Sequence, residues 1–270
     1  MKHATVIDSD TGGFILADAG AGETFDASLA AALNIVFDPD GKTSAISGHE
    51  GDSWPDVVLK ARDAVKAIVD NRLAVVIAAE GYLYVTVQDH PLTAAELSRV
   101  QSTHRLGLVL PSGTALLTDG MFLFDEDGRE HYDIDEIAVE PGAYTVEIHA
   151  MLPDPEVVPT VGVCGDDESP AAIIVLTKNA EVDDAAIDVR LDMSAWTLAP
   201  VSGAICAVTV TKISGDDAHA DIQLTSHVRS GKARFTVPDE ARVAVGDEPW
   251  VLLERDTGHY WTASLIEHGD

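Results

Sequence analysis

DSWPDVVLKARDAVKAIVDN, Asp52–Asn71, is the stretch that decides how this chain is classed. Almost everything around it reads as β-strand, whereas this stretch reads as helix. Ser53 supplies an N-cap oxygen. Asp56 stands three residues on as its capping-box partner, and Pro55 falls in the first turn, where a missing N–H costs nothing. Trp54, Val58, Ala61, Val65 and Ile68 then recur at helical spacing and define one apolar face. Further along, PLTAAELSRVQS (91–102) predicts a second, short helix. Thr93 caps it, Glu96 completes the box, and Leu92 is placed to staple onto Leu97. DASLAAAL (26–33) supplies one or two helical turns more.

The remainder predicts strands. LAVVIAAEGYLYVTVQ (73–88) is rich in β-formers. LGLVLPSGTALLTDGMFLF (106–124) breaks at Ser112-Gly113 and at Asp119-Gly120, and YTVEIHAM (144–151) alternates after a turn. MLPDPEVVPTVG (151–162) holds three prolines and is the natural boundary. Beyond it, AAIIVLTK, AAIDVRLDM, AICAVTVTKI, ADIQLTSHV, KARFTV, PWVLLER and YWTASLI follow at short, regular intervals, with no helical pattern after residue 155. The expected class is α+β, mainly β. A strand-rich part over 1–155, carrying one long and one short helix, is followed by an all-β sandwich or small barrel over 156–270.

FLFDEDGREHYDIDE (122–136) carries four Asp and three Glu. FDEDGR within it matches FDPDGK (37–42), and SDTGGF (9–14) and RDTGHY (255–260) have a similar form. Each suits a type I turn closed by a glycine at positive φ, with the leading Asp accepting a backbone N–H. This is a way to make hairpins. A calcium loop from Asp125 would need an acid at its fifth position and glycine at its sixth. Arg129 and Glu130 stand there, although Glu136 falls correctly at the twelfth. An irregular cation site using Asp125, Asp127 and Asp133 is the other metal reading.

SGHEGDSWP (47–55) gathers His49, Glu50, Asp52 and Ser53, residue types that a hydrolase uses, and GDSW resembles the block of the GDSL esterases. Against this, Ser53 is already engaged as a helix cap. Asp10-Thr11-Gly12 and Asp256-Thr257-Gly258 resemble the two D-T-G triplets of pepsin-like proteases, whose carboxylates share a proton. Here Ser9 and Arg255 precede them where that family has apolar strand residues. VEPGAYTVEIHAM (139–151) resembles the P-G-x-Y-x-V strand of small acidic bacterial inhibitor proteins. The ten histidines form no H-x-x-x-H or H-E-x-x-H pair, no P-loop is present, and no cofactor is expected.

Composition narrows the function classes. Acids number 46 against 17 bases, a formal charge of −29, spread evenly along the chain. Such a surface repels phosphates and anionic lipid, so neither nucleic acid nor membrane is an expected partner. The excess of Asp and scarcity of Lys resemble proteins of salty cytoplasms. No apolar run is long enough to cross a bilayer, and the start lacks a signal-peptide h-region, so a cytoplasmic location is expected. Cys164 and Cys206, in VGVCG and GAICAV, read as buried thiols. The favoured expectation is a non-enzymatic acidic binding or inhibitor-type protein that meets a basic protein. The alternative is a hydrolase or cation-dependent enzyme using His49, Glu50 and Ser53, or the acids of 125–136.

Overall fold

In the computed structural model the described residues are 1–9, 12–21, 35–36, 45–46, 72–119, 134–179, 188–225, 228–238 and 241–266. Their strands, in chain order, begin with β1 (Lys2–Ser9), β2 (Gly13–Asp18), β3 (Ile35–Val36), β4 (Ala45–Ile46), β5 (Leu73–Ile77) and β6 (Gly81–Gln88). The helix α1 (Ala94–Ser98) follows, then β7 (Val100–Leu110), β8 (Thr114–Asp119), β9 (Asp135–Ala138), β10 (Gly142–Met151), β11 (Val163–Cys164), β12 (Ala172–Asn179) and β13 (Asp188–Arg190). The chain ends in β14 (Ile205–Ser214), β15 (Asp217–Gln223), β16 (Arg229–Thr236), β17 (Trp250–Asp256) and β18 (Trp261–Leu265).

Two sheets pack face to face. The first runs β1-β6-β12-β10-β7, with β11 added on β6, and the second runs β13-β5-β2-β8-β9. Alternation sends Leu83, Val85 and Val87 of β6 inward beside Val146, Ile148 and Ile174, against Phe14, Leu16, Val76 and Leu117 of the second sheet. β2 and β5 are buried on both faces, which is why FILA and LAVVI are continuous apolar runs. His3 and Thr5 of β1 bond the Asp135 carboxylate of β9, tying the two sheets together at one edge.

A closed barrel, β14-β15-β16-β18-β17, has its own core of Cys206, Val208, Val210, Ile222, Phe235, Val251 and Leu253. Three alanines, Ala218, Ala220 and Ala233, leave room for Phe235 inside so small a ring. Register shifts at Thr211, Ser230 and Glu254 curve the strands enough to close it.

The fold class is therefore mostly β, with 59% of the described residues in strands and 4% in helices. This corrects the α+β expectation of one long and one short helix. The physical reason lies in the layers: both cores are built strand against strand, and α1 buries no residue of its own. Its sequence signals were sound, since Thr93 and Glu96 form the complete capping box. Leu92 does not serve as a staple, however. It packs with Met151, Ile173 and Val175, while Leu97 is left 59% exposed. Residues 53–71 and 26–33, expected to be helical, lie outside the described residues.

The turns divide the same way. RDTGHY is a hairpin turn joining β17 to β18, with Gly258 at φ +82° and its N–H on the Asp256 carboxylate. SDTGGF is not, because β1 lies in one sheet and β2 in the other. β3 pairs antiparallel with β4, and β8 with β9. Residues 37–44 and 120–133, between those pairs, fall outside the described set.

The proline segment at 151–159 is followed by β11, β12 and β13, which belong to the sandwich, and β12 is hydrogen-bonded between β6 and β10. The sandwich thus draws strands from both sides of residue 155. A glutamate-specific protease should cut at the exposed Glu156, beside the half-exposed Val157 and Val158. The nicked pieces should co-elute in native buffer and part only in denaturant. Separation in native buffer would show that β12 does not hold them.

Candidate functional site

The segment from Leu152 to Pro159 cannot continue a sheet. Pro153, Pro155 and Pro159 lack the N–H that a ladder needs. It turns at Asp154, whose carboxylate accepts the Glu156 N–H (2.9 Å) and whose carbonyl accepts the Val157 N–H (3.2 Å). It then fastens to the barrel through Ile205, which exchanges hydrogen bonds with Pro159 and Val161 (2.9 and 2.8 Å). Gly162 fastens to the sandwich, its carbonyl accepting the Tyr82 N–H at 2.7 Å. A second turn follows at 166–169, where Asp166 Oδ1 accepts the N–H groups of Glu168 (2.9 Å) and Ser169 (2.6 Å).

Between these turns lies a cleft of about 240 Å³. Pro153, Pro155, Val157 and Val158 form one wall, Val163 and Ser169 another, and Trp196 a third. The indole packs against the sandwich core and is fixed by its Nε1–H, which donates to the Met151 carbonyl at 3.0 Å. Val157 and Val158 are 53% and 50% exposed. Asp154 and Asp166 stand in the lining, and Glu156, Asp167 and Glu168 are exposed beside it. No Lys or Arg occurs from 152 to 170. Ser169 Oγ is buried and has no hydrogen-bond partner among the described residues.

Other chemistry is placed elsewhere. His49, Glu50 and Ser53 lie outside the described residues, as do Asp125, Asp127 and Asp133. Asp10 and Thr11 are also outside, and Asp256 belongs to a hairpin turn. No cluster of three or more His, Cys, Asp or Glu able to hold a metal occurs among the described residues. Cys164 and Cys206 are free and buried, and burial pushes both thiols up to about 12, which leaves negligible thiolate at neutral pH. His149, paired with Thr103 Oγ1 at 2.8 Å, is held below its ordinary pKa by burial.

The barrel has the Greek-key order, with one parallel pair, of barrels that bind oligonucleotides or oligosaccharides on their second and third strands. On the corresponding face here the cations are matched. Arg234 pairs with Asp217, and Lys232 stands opposite Asp221 in register. The cleft was missed by reasoning from sequence, although its signal was present. A base-free acidic run interleaved with prolines and valines marks it, in the same stretch whose prolines predict a boundary.

No protein-family model matches the chain, and no curated protein matches it. Two solved structures are similar to it. One is described as Crocagin biosynthetic gene J, 18% identical with a TM-score of 0.37, covering 66% of this chain and 97% of that one. The other is ComJ from Bacillus subtilis, described as an inhibitor of the DNA degrading activity of NucA. It is 6% identical with a TM-score of 0.33, covering 66% of this chain and 96% of its own. Likenesses at these scores carry no argument about what this chain does.

Proposed function

We propose that this chain is a non-enzymatic acidic binding protein of the inhibitor type, and that its partner is a basic protein. One observation carries the reading: an apolar cleft with half-exposed valines has Asp154 and Asp166 and no Lys or Arg in its lining, and the segment that forms it, 152–170, adds three further acids and no base of its own. Apolar surface of this kind, rimmed by charge, is what a partner covers. The surrounding field, from a chain of −29, draws in a positively charged partner and repels anionic ones. A cytoplasmic setting accompanies this reading, supported by two cysteines that stay unpaired. No helix among the described residues is long and apolar enough to cross a membrane.

The test is capture from an extract of the source cells at 0.05 and 0.5 M KCl, with the wild-type chain and with a variant carrying Asp154→Asn, Glu156→Gln, Asp166→Asn, Asp167→Asn and Glu168→Gln. A basic protein should be retained by the wild type at low salt, released at high salt, and not retained by the variant. The Debye length shrinks from about 10 Å at 0.1 M to about 3 Å at 1 M, so rim contacts should weaken across this range. Equal retention by both chains would refute the reading.

A further inference from the structure

Resting on that reading, the geometry points to an arginine pocket: the cleft beside Trp196 takes the side chain of an exposed arginine on the basic partner. The cleft offers two surfaces of opposite character. The indole and the prolines are flat and apolar, and they suit the methylene stem of a long cationic side chain. A guanidinium stacks on an indole face, and Trp196 is the wall best held for that, since its Nε1–H is committed to the Met151 carbonyl.

The polar groups match the head of the same side chain. Asp154 and Asp166 each spend one carboxylate oxygen, Oδ1, on backbone N–H groups of their own turns. Neither is in an ion pair among the described residues. Two carboxylates therefore face the cleft with charge to share. Ser169 adds an acceptor. Its residue is 6% exposed, it lines the cleft, and its Oγ lacks a partner. A buried hydroxyl left without a hydrogen bond costs free energy. A donor arriving with a ligand removes that cost. A guanidinium brings five donors in a planar fork, enough for both carboxylates and the hydroxyl. An ammonium brings three, is more strongly hydrated and does not stack.

The probe is a flexible peptide, acetyl-GSGRVGSG-amide, beside versions with Lys or the neutral isostere citrulline in place of Arg. The readout is the indole N–H resonance of Trp196 in the full chain at low salt, assigned by its loss in Trp196→Phe. The Arg peptide should shift that resonance saturably. The citrulline peptide should bind at least about tenfold more weakly, the loss expected for a charged hydrogen bond, and the Lys peptide should fall between. Asp166→Asn and Asp154→Asn preserve the Oδ1 acceptor and should each weaken the Arg peptide. Ser169→Ala should weaken it too while leaving the melting temperature unchanged or raised, a result that a purely structural serine would not give. If Arg and citrulline peptides shift the resonance alike, or if the Arg peptide leaves it unmoved, the pocket is refuted. Shifts confined to other residues would sink the pocket and leave the basic-partner reading standing on its capture test.

Discussion

Gly162→Val should cost about 3 kcal/mol or more of folding stability, through backbone strain added to overpacking. Gly162 sits at φ +71°, a left-handed conformation that side chains rarely adopt. A Cβ there would stand 2.6 Å from the Leu224 carbonyl oxygen and 2.8 Å from the Leu224 Cα. Both are backbone atoms of the barrel, and no rotamer change moves them aside. On its other side Gly162 holds the sandwich, with its carbonyl on Tyr82 N–H and its N–H on the Thr197 carbonyl at 3.0 Å. Gly81, at φ +138°, faces it so closely that a Cβ there would run into the Gly162 carbonyl oxygen. Any side chain at 162 must therefore pry the barrel from the sandwich. Gly215→Val is the control. It shares a positive φ, +62°, but nothing lies within 4 Å of its Cβ position, so strain alone should cost about 1–2 kcal/mol. Urea unfolding followed by fluorescence decides the matter. Equal losses at the two positions would show that the junction is not tight.

Asp18→Ala should be nearly as damaging, by about 3 kcal/mol at pH 7, the low end for removing one partner of a buried pair. Asp18 ends β2 with its carboxylate fully buried. One oxygen pairs with the Arg72 guanidinium and the other accepts the N–H and hydroxyl of Ser112 (2.9 and 2.5 Å). Burial pushes the Asp18 carboxyl up, but Arg72 and Ser112 outweigh it and hold it below the ordinary 3.8. The sign follows. A carboxyl with a lowered folded-state pKa contributes its stability above the unfolded value, and loses it as pH falls through the folded one. The gap between wild type and Asp18→Asn should therefore be full at pH 7 and shrink when melts are repeated near pH 2–3. Arg72 is partly exposed and is rehydrated in the variant, which keeps the cost at the low end of the range. A gap that stays constant with pH would mean that the charge at Asp18 does not contribute.

Strands were legible in this sequence because period-2 alternation and glycine turns are local. AAIIVLTK, AICAVTVTKI and YWTASLI became β12, β14 and β18 with ends shifted by a residue or two. Partner choice was not legible. Nothing in AAIIVLTK says that it will slot between β6 and β10, because that pairing spans distant parts of the chain. The proline segment misled for the same reason: it marks where the chain leaves a sheet, not whether it returns. The α+β expectation rests on helix-like stretches at 52–71, 91–102 and 26–33; only the second lies among the described residues, and there a five-residue helix with no buried residue forms no layer. The cleft escaped notice because its parts are 40 residues apart. Trp196 in DMSAWTLAP carries no mark of the prolines it faces, whereas His49 and Asp127 stand in short polar clusters that local motifs pick out.

The position of β12 bears on synthesis. By the time Met151 has left the ribosome, β6, β7 and β10 all exist, yet the slot between β6 and β10 stays empty until Asn179 follows. At ordinary translation speeds that interval lasts a few seconds. Two naked strand edges, backed by Val85, Val87, Val146 and Ile148, are then open to pairing with a neighbouring nascent chain. The residues made in that interval include four prolines and the run Asp166-Asp167-Glu168, which disfavour β pairing and repel their own kind. The segment that walls the cleft in the finished protein is thus also the stretch whose prolines and acids disfavour strand pairing while the sheet is incomplete.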